Sequence, residues 1–181
     1  MQYQKTIKTK NGLDCLLRGA VADDAEAVIE IFQATHAETD YLLSYPDENT
    51  LTLEGERAIL ACRAASDNAI EILAIIDGKI VGSAGFDPVG GKEKLRHRAE
   101  FGVSVRKAFW GLGIGRALTE ACVECAKAAG YKQIELNAVA DNEAALALYR
   151  SVGFVEYGRN PLGFRSRLTG WQELVYMRLE L

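Results

Sequence analysis

Residues 103–118, VSVRKAFWGLGIGRAL, carry the most informative pattern in the chain. A β-rich start leads into a short segment with glycines at positions 111, 113 and 115, and a helical pattern begins within that segment. Glycine lets the backbone approach a bulky anion and adopt positive φ. The first turn of a helix presents unpaired N–H groups and about half a positive charge. The stretch therefore predicts an anion site, for which a pyrophosphate is the natural ligand.

Glycines at close spacing also occur in dinucleotide-binding folds, so an NAD(P)-dependent oxidoreductase is an alternative. That fingerprint requires Gly or Ala at the position that Arg116 occupies here. Glu135 follows about twenty residues after the loop, as the fingerprint asks, but it lies inside a predicted strand rather than at its carboxyl end. The oxidoreductase is therefore the weaker interpretation.

The rest of the chain predicts a mixed sheet. Asn11-Gly12 and Asp77-Gly78 mark two-residue turns of β-hairpins. Downstream of the glycine loop, a strand–helix–strand succession requires a parallel pair. We expect an α+β fold of three layers, with a twisted, mainly antiparallel sheet of about seven strands flanked by about four helices. The predicted final strands are Phe154–Tyr157 and Trp171–Leu181, joined by a loop over 158–170.

Two motifs together resemble a known family. The loop Trp110-Gly-Leu-Gly113-Ile-Gly115 is similar to the acetyl-CoA loop of the GNAT N-acetyltransferase superfamily, Gln/Arg-x-x-Gly-x-Gly/Ala, with Trp110 in the polar first position. Residues 142–154, NEAALALYRSVGF, resemble the family's Asn-x-x-Ala-x-x-Leu-Tyr-x-x-x-Gly-Phe stretch. The order of elements matches over essentially all of residues 1–181, which we expect to form a single N-acetyltransferase domain.

The resemblance implies that acetyl-CoA binds as co-substrate, largely through main-chain groups. An alternative role for Asn142 is to help Asp141 cap the following helix. The expected coenzyme contacts are Val103, Ser104, Val105, Trp110, Gly111, Leu112, Gly113, Ile114, Gly115, Arg116, Asn142, Ala145 and Tyr149.

Acetyl transfer to an amine requires that the amine loses a proton and that the leaving thiolate gains one. An alkyl ammonium has a pKa of ~10.4, so presenting it uncharged at neutral pH costs ~4 kcal/mol. Glu100, on the strand that feeds the loop, is the candidate base, and its structural alternative is an ion pair with Arg98. The resemblance implies that Tyr149 protonates the leaving thiolate. Its alternative is a core aromatic residue.

The expected reaction moves an acetyl group to a primary amine of a small molecule or a protein, by direct attack in a ternary complex. A non-catalytic acyl-CoA-binding module is an alternative. An acidic, aromatic segment over residues 36–50 is a candidate wall of the acceptor site, and a solvated acidic loop is the equal alternative. Its candidate residues are Glu38, Asp40, Tyr41, Tyr45, Asp47 and Glu48, and those of the opposite wall are Phe164, Trp171 and Glu173.

Composition limits the other partners. The net charge of −4 gives no basic excess for nucleic acid. The first residues lack the apolar core of a signal peptide and no run is long enough to span a bilayer, so we expect a cytoplasmic protein without membrane partners. Cys122 and Cys125 have no second ligand pair, so no metal is expected. A homodimer that pairs through the exposed final strands is a further expectation.

Overall fold

The computed structural model describes all residues from Met1 to Leu181. Eight strands form one sheet in the order β1-β2-β3-β4-β5-β6-β8-β7, and only β5 and β6 are parallel. The count exceeds the predicted number of about seven by one, and the predicted first hairpin forms one end of the sheet. The strands are β1 Gln4–Lys8, β2 Asp14–Gly19, β3 Ile70–Ile76, β4 Lys79–Pro88, β5 Arg98–Val105, β6 Gln133–Val139, β7 Val155–Ser166 and β8 Gly170–Glu180. The helices are α1 Ala25–Glu38, α2 Leu53–Ala65, α3 Ile114–Ala128 and α4 Glu143–Val152.

Two of the four helices, α2 and α4, begin at a residue whose side chain caps a free backbone N–H. Thr52 caps α2 through its side-chain oxygen, which accepts a hydrogen bond from the N–H of Gly55 at 3.1 Å. Asn142, rather than Asp141, is the cap of α4, because its Oδ1 accepts from the N–H of Ala145 at 3.3 Å. This contact fixes where the second sequence motif enters its helix.

The predicted loop over residues 158–170 is wrong, because most of it belongs to a long hairpin. β7 pairs with β8 as far as Ser166 opposite Gly170, with two irregularities in register along the way. Pro161 is tolerated since β7 is the edge strand of the sheet, where a missing N–H leaves no partner unsatisfied. Bulges absorb the residues that do not fit the ladder.

The sheet carries helices on both faces. The main core packs α3 and α4 against one face and includes Phe86, Phe101 and Leu118. Cys122 and Cys125 are buried in this core. A smaller core lies under α1 and α2 on the opposite face and contains Val28, Leu60 and Leu73. None of the helices combines the length and the apolarity needed to cross a membrane.

Candidate active site

The two parallel strands diverge and open a cleft in the sheet. β5 and β6 pair only over Arg98–Glu100 and Gln133–Glu135. Beyond Glu100, β5 continues to Val105 with a hydrogen-bonded partner, β4, on one side alone. The other edge of β5 over residues 103–105 therefore has no strand partner, which leaves main-chain groups there for the predicted role in ligand binding.

The glycine loop presents a row of unsatisfied donors at the mouth of this cleft. Gly111 and Gly113 have φ of +75° and +90°, values that L side chains rarely adopt. The loop leads straight into α3, and the first backbone bond of that turn runs from the N–H of Ala117 to the carbonyl of Gly113. The N–H groups of residues 111–116 donate to no backbone acceptor. Free amides at a helix start are suited to bind phosphate oxygens.

A first cavity of about 510 Å³ follows the loop and the cleft. Twelve of the thirteen predicted coenzyme residues line it. The exception is Leu112, whose side chain packs against the main core while its carbonyl accepts from the N–H of Lys10 at 3.0 Å. An apolar side chain at this position is held by the core instead of facing the cavity. The lining residues are Val103, Ser104, Val105, Trp110, Gly111, Gly113, Ile114, Gly115, Arg116, Asn142, Ala145 and Tyr149.

Trp110 has a structural role at the start of the glycine loop. Its indole N–H donates to the carbonyl oxygen of Val105 at 2.6 Å, which ties the start of the loop to the end of β5. The guanidinium of Arg116 donates a hydrogen bond to the hydroxyl of Ser151 in α4 and pairs with Glu120 in α3. These contacts brace the loop from both ends.

Lys10 also lines the first cavity, and the sequence patterns do not point to it. It lies in the β1–β2 turn, about a hundred residues away in sequence, and the hydrogen bond from its N–H to the Leu112 carbonyl holds it at the loop. No carboxylate pairs with its ammonium group, whereas the neighbouring Lys8 is paired with Asp14 at 2.9 Å. A free cation beside free amides adds to the attraction for phosphate.

A second cavity of about 480 Å³ adjoins the first and shares seven lining residues with it. The shared residues come from the acidic segment, from β5 and from α4, so they form the passage between the two spaces. They are Tyr41, Leu42, Val103, Ser104, Asn142, Ala145 and Tyr149. Glu100 lines the second cavity but not the first, and Phe164 of β7 also lines it.

The carboxylate of Glu100 has no ion-pair partner. The alternative pairing with Arg98 does not occur, because Arg98 makes two hydrogen bonds of 2.8 Å each to Glu135. Glu100 lies opposite Asp87 in the β4–β5 register and is exposed to the second cavity. It is therefore available to a cationic ligand.

A charged cluster also lines the second cavity. Arg63 of α2 contacts Glu71 at 2.8 Å and also Asp87. Burial raises the pKa of the Glu71 carboxyl, and the Arg63 guanidinium offsets only part of that rise. With one guanidinium for three carboxylates, the cavity carries an excess of negative charge and favours a cation.

Tyr149 lies where the two cavities meet. Its ring packs against Phe101 and Phe154, so Tyr149 is a core aromatic residue, as its structural alternative predicts. The same residue also lines both cavities. Burial raises the pKa of Tyr149 to about 12. The hydroxyl therefore stays protonated at neutral pH and remains a hydrogen-bond donor.

The acidic segment contributes less charge to the second cavity than the sequence suggests. Glu38 pairs with Arg106 at 2.9 Å, and Asp40 accepts hydrogen bonds from Ser166 and Thr169 of the β7–β8 turn. Their carboxylates hold the segment in place, while Tyr41 and its neighbour Leu42 form the wall.

Comparisons with known proteins agree with this geometry. The chain is 26% identical over 165 residues to the L-amino acid N-acyltransferase MnaT of Escherichia coli K12, covering 91% of this chain and 93% of that protein. It is also 26% identical to an L-methionine sulfoximine/L-methionine sulfone acetyltransferase of Pseudomonas paraeruginosa, over 91% and 94% of the two chains. The crystal structure of a GNAT-family acetyltransferase from Streptococcus pneumoniae superposes with a TM-score of 0.88, at 28% identity, over 92% and 99% of the chains.

A family model supplies the assignment. The model described as the acetyltransferase (GNAT) family matches residues 26–154, which contain both sequence motifs and the divergent strands β5 and β6. Because the match covers most of the sequence, the chain belongs to the acetyltransferase (GNAT) family and is an acyltransferase, as the two motifs predict.

Proposed function

We propose that the enzyme transfers the acetyl group of acetyl-CoA to the primary amine of a small molecule, by direct attack in a ternary complex. The observation that carries the proposal is the junction of two unlike cavities at Tyr149. One leads to free backbone amides and a free lysine, and the other carries excess negative charge. Two relatives that align over nearly their whole length are named for amino acids or amino acid analogues, which supports a small acceptor.

The donor half of the site would hold the coenzyme by its phosphates. The amides of residues 111–116 and the ammonium of Lys10 would bind the pyrophosphate. The free edge of β5 over residues 103–105 would bind the pantetheine arm and bring the thioester to the passage between the cavities. A β5 N–H aimed at the carbonyl oxygen would stabilise the tetrahedral intermediate.

Tyr149 would stabilise the leaving thiolate as a hydrogen-bond donor. Full proton transfer from a phenol with a pKa of about 12 to a thiolate with a reference pKa of ~8.5 is uphill by roughly 5 kcal/mol. Donation of a hydrogen bond to the developing negative charge needs no such transfer. We therefore assign Tyr149 the role of a hydrogen-bond donor to the sulfur, in place of the predicted full proton transfer.

The carboxylate of Glu100 would bind the acceptor amine in its protonated, ammonium form before the reaction begins. Its carboxylate is exposed to the second cavity and free of an arginine partner. A charge-assisted hydrogen bond of this kind positions the nitrogen near the thioester. That Glu100 also acts as the base stays a prediction, as does the pairing of two copies through the final strands.

A thiol-release assay tests the proposal. The purified chain is incubated with acetyl-CoA and a panel of amino acids, amino acid analogues, aliphatic diamines and peptides, and free coenzyme A is measured. We expect release that depends on one class of small amine, with the acetylated amine detected by mass spectrometry. Coenzyme binding without release for any amine would favour the non-catalytic alternative.

A thermal-shift series separates the remaining alternative. A ligand at 100 times its Kd adds ~2.7 kcal/mol to the free energy of unfolding. We expect coenzyme A and acetyl-CoA to raise the Tm and NAD(P) to leave it unchanged. The reverse result would contradict an acetyl-CoA site in the glycine loop.

A further inference from the structure

His36, in the last turn of α1, is the histidine that lines the second cavity. Its ring stacks on Phe32 with centroids 3.7 Å apart, and Nδ1 lies 2.8 Å from the Phe32 carbonyl oxygen. The other neighbour of Nδ1 is the Thr35 hydroxyl at 3.4 Å, whose own proton faces the carbonyl oxygens of Ile31 and Phe32. Both neighbours thus present lone pairs, so the ring proton belongs on Nδ1 and Nε2 keeps its lone pair.

The other ring nitrogen of His36 is accessible to solvent. The only hydrogen bonds of the ring are those of Nδ1, and Nε2 keeps exposed surface without a partner. Because His36 lines the second cavity, we expect a ligand there to reach Nε2. Burial lowers the pKa of His36, and the bond to the Phe32 carbonyl offsets only part of that change. The imidazole is accordingly neutral at neutral pH.

We propose that Nε2 of His36 takes the proton of the acceptor ammonium, directly or through one water, and so acts as the catalytic base of the acetyl transfer. This inference rests on the proposed function and names a residue from outside both sequence motifs. Glu100 then has a separate task, which is to hold the cationic acceptor. One residue binds the charged form of the amine, and the other produces the neutral form that reacts.

The proton and bond changes balance with these roles. The ammonium gives one proton to Nε2, which passes it to solvent, and the neutral nitrogen attacks the thioester carbon. A C–N bond forms and the C–S bond breaks. The sulfur leaves as a thiolate hydrogen-bonded to Tyr149, and the second nitrogen proton reaches it through solvent. The products are the acetylated amine, coenzyme A and one released proton.

An imidazole suits this task better than a carboxylate. Reference pKa values are ~6.5 for histidine and ~4.3 for glutamate, against ~10.4 for an alkyl ammonium, and base catalysis is most efficient when the pKa lies near the working pH. The charged and titratable groups that share the cavity with His36 also affect its charge: the acids favour imidazolium, and the one guanidinium opposes it. They are Glu71, Asp87 and Glu100 from the strands, Arg63 from α2, Tyr41 from the segment after α1, and Tyr149 from α4.

His36→Asn tests the proposal with little structural change. The asparagine amide can still donate to the Phe32 carbonyl, but it has no group in place of Nε2. We expect kcat/KM for the amine to fall about 100-fold, with the Tm and the binding of coenzyme A unchanged. His97→Asn is the matched control, because His97 lines neither cavity.

The pH profile provides the decisive readout. A base must be unprotonated, so wild-type kcat/KM should fall as the pH drops through a value below the ordinary histidine pKa, and His36→Asn should lack that step. A variant that keeps the wild-type rate and the same acid limb would overturn the assignment. Wild-type enzyme that releases no thiol with any amine would instead count against the proposed function.

The tautomer gives a second test that needs no turnover. The chain has two histidines, so nitrogen-15 NMR of the wild type and of His36→Asn assigns both rings. We expect His36 to carry its proton on Nδ1 at neutral pH, and addition of an amine substrate with coenzyme A to perturb the Nε2 resonance. A proton on Nε2 would remove the lone pair and contradict the proposal.

Discussion

The carboxylate of Glu38 accepts a hydrogen bond from the guanidinium of Arg106 at 2.9 Å and a second one from the N–H of Lys107 at 2.6 Å. Glu38 is the last residue of α1, and Lys107 opens the turn that leads to the glycine loop. The same contact therefore fixes the start of the acidic segment and the approach to the coenzyme loop. Tyr41, three residues later, lines both cavities, so the junction lies close in sequence to the passage between them.

Glu38→Gln should weaken the binding of both substrates. The amide keeps one hydrogen bond but loses the charge that Arg106 and Lys107 face, so we expect KM to rise several-fold for acetyl-CoA and for the amine. The half-exposed pair should cost about 1 kcal/mol of unfolding free energy. Glu30→Gln, an exposed residue on the same helix without an ion pair, is the control for steady-state kinetics and urea unfolding.

The same pair has a predictable pH dependence. Burial opposes ionisation of Glu38, but the hydrogen bonds from Lys107 and Arg106 outweigh it and hold its pKa below the ordinary value. A carboxyl with a lowered folded-state pKa stabilises the protein above its unfolded pKa of ~4.3. The difference between wild type and Glu38→Gln should therefore be present at pH 7 and disappear as the pH falls through the lowered pKa.

Tyr149→Phe should lower kcat with little effect on coenzyme binding. The hydroxyl contributes to a thiolate that forms only in the transition state, so we expect a loss of about 10- to 100-fold in kcat and in kcat/KM. Stability should hardly change, since the ring and its packing in the main core remain. Acetyl-CoA titration and thermal melts provide the checks, and an unchanged kcat would place Tyr149 in the core alone.

Lys10→Ala should weaken coenzyme binding in a salt-dependent way. Lys10 lines the first cavity and its ammonium has no carboxylate partner, so we expect the Kd of coenzyme A to rise roughly 5- to 10-fold at low salt and the difference to shrink as salt is added. Lys8→Ala is the matched control, because Lys8 lies in the same hairpin and is paired with Asp14. Calorimetric titration at two salt concentrations measures both. Equal effects of the two variants would show that only net charge matters.

Twelve of the thirteen residues predicted to contact the coenzyme line a single cavity, and most of the signals behind that prediction are local. The glycines, the capping asparagine and the helical spacing all lie within short stretches, and their physical causes are local. Lys10 and His36 left no such signal. Lys10 reaches the loop through one backbone hydrogen bond, and the tautomer of His36 depends on a carbonyl one helical turn away.

In the C-terminal hairpin, local sequence signals gave a wrong prediction. Gly158, Asn160, Pro161 and Gly163 are typical of loops, and they led to a predicted loop where β7 runs. Pairing with β8, whose Leu174 and Val175 are buried, overrides these local preferences. The carboxylates of the acidic segment are a further case, because only the folded structure shows that Asp40 faces the hairpin turn and not an acceptor.

Arg63→Met should destabilise the protein by an amount that depends on pH. Arg63 contacts Glu71 and Asp87, and its loss leaves buried negative charge without a partner. Removal of one partner of a buried pair costs about 3–5 kcal/mol, and the partial exposure of Arg63 and Asp87 reduces the expectation to about 2 kcal/mol at pH 7. Arg57→Met, on an exposed position of α2 without an ion pair, should have little effect.

The sign of the pH dependence follows from the raised pKa of Glu71. Burial already raises that pKa with Arg63 present, and the loss of Arg63 raises it further. A carboxyl with a raised folded-state pKa stabilises the fold below its unfolded pKa, and this contribution is lost as the pH rises through the folded value. The deficit of Arg63→Met should therefore shrink as the pH falls from 7 towards 5. Glu71→Gln in the same background should restore much of the stability at pH 7. A deficit that stays constant with pH in urea unfolding would mean that Arg63 contributes by packing and not by charge.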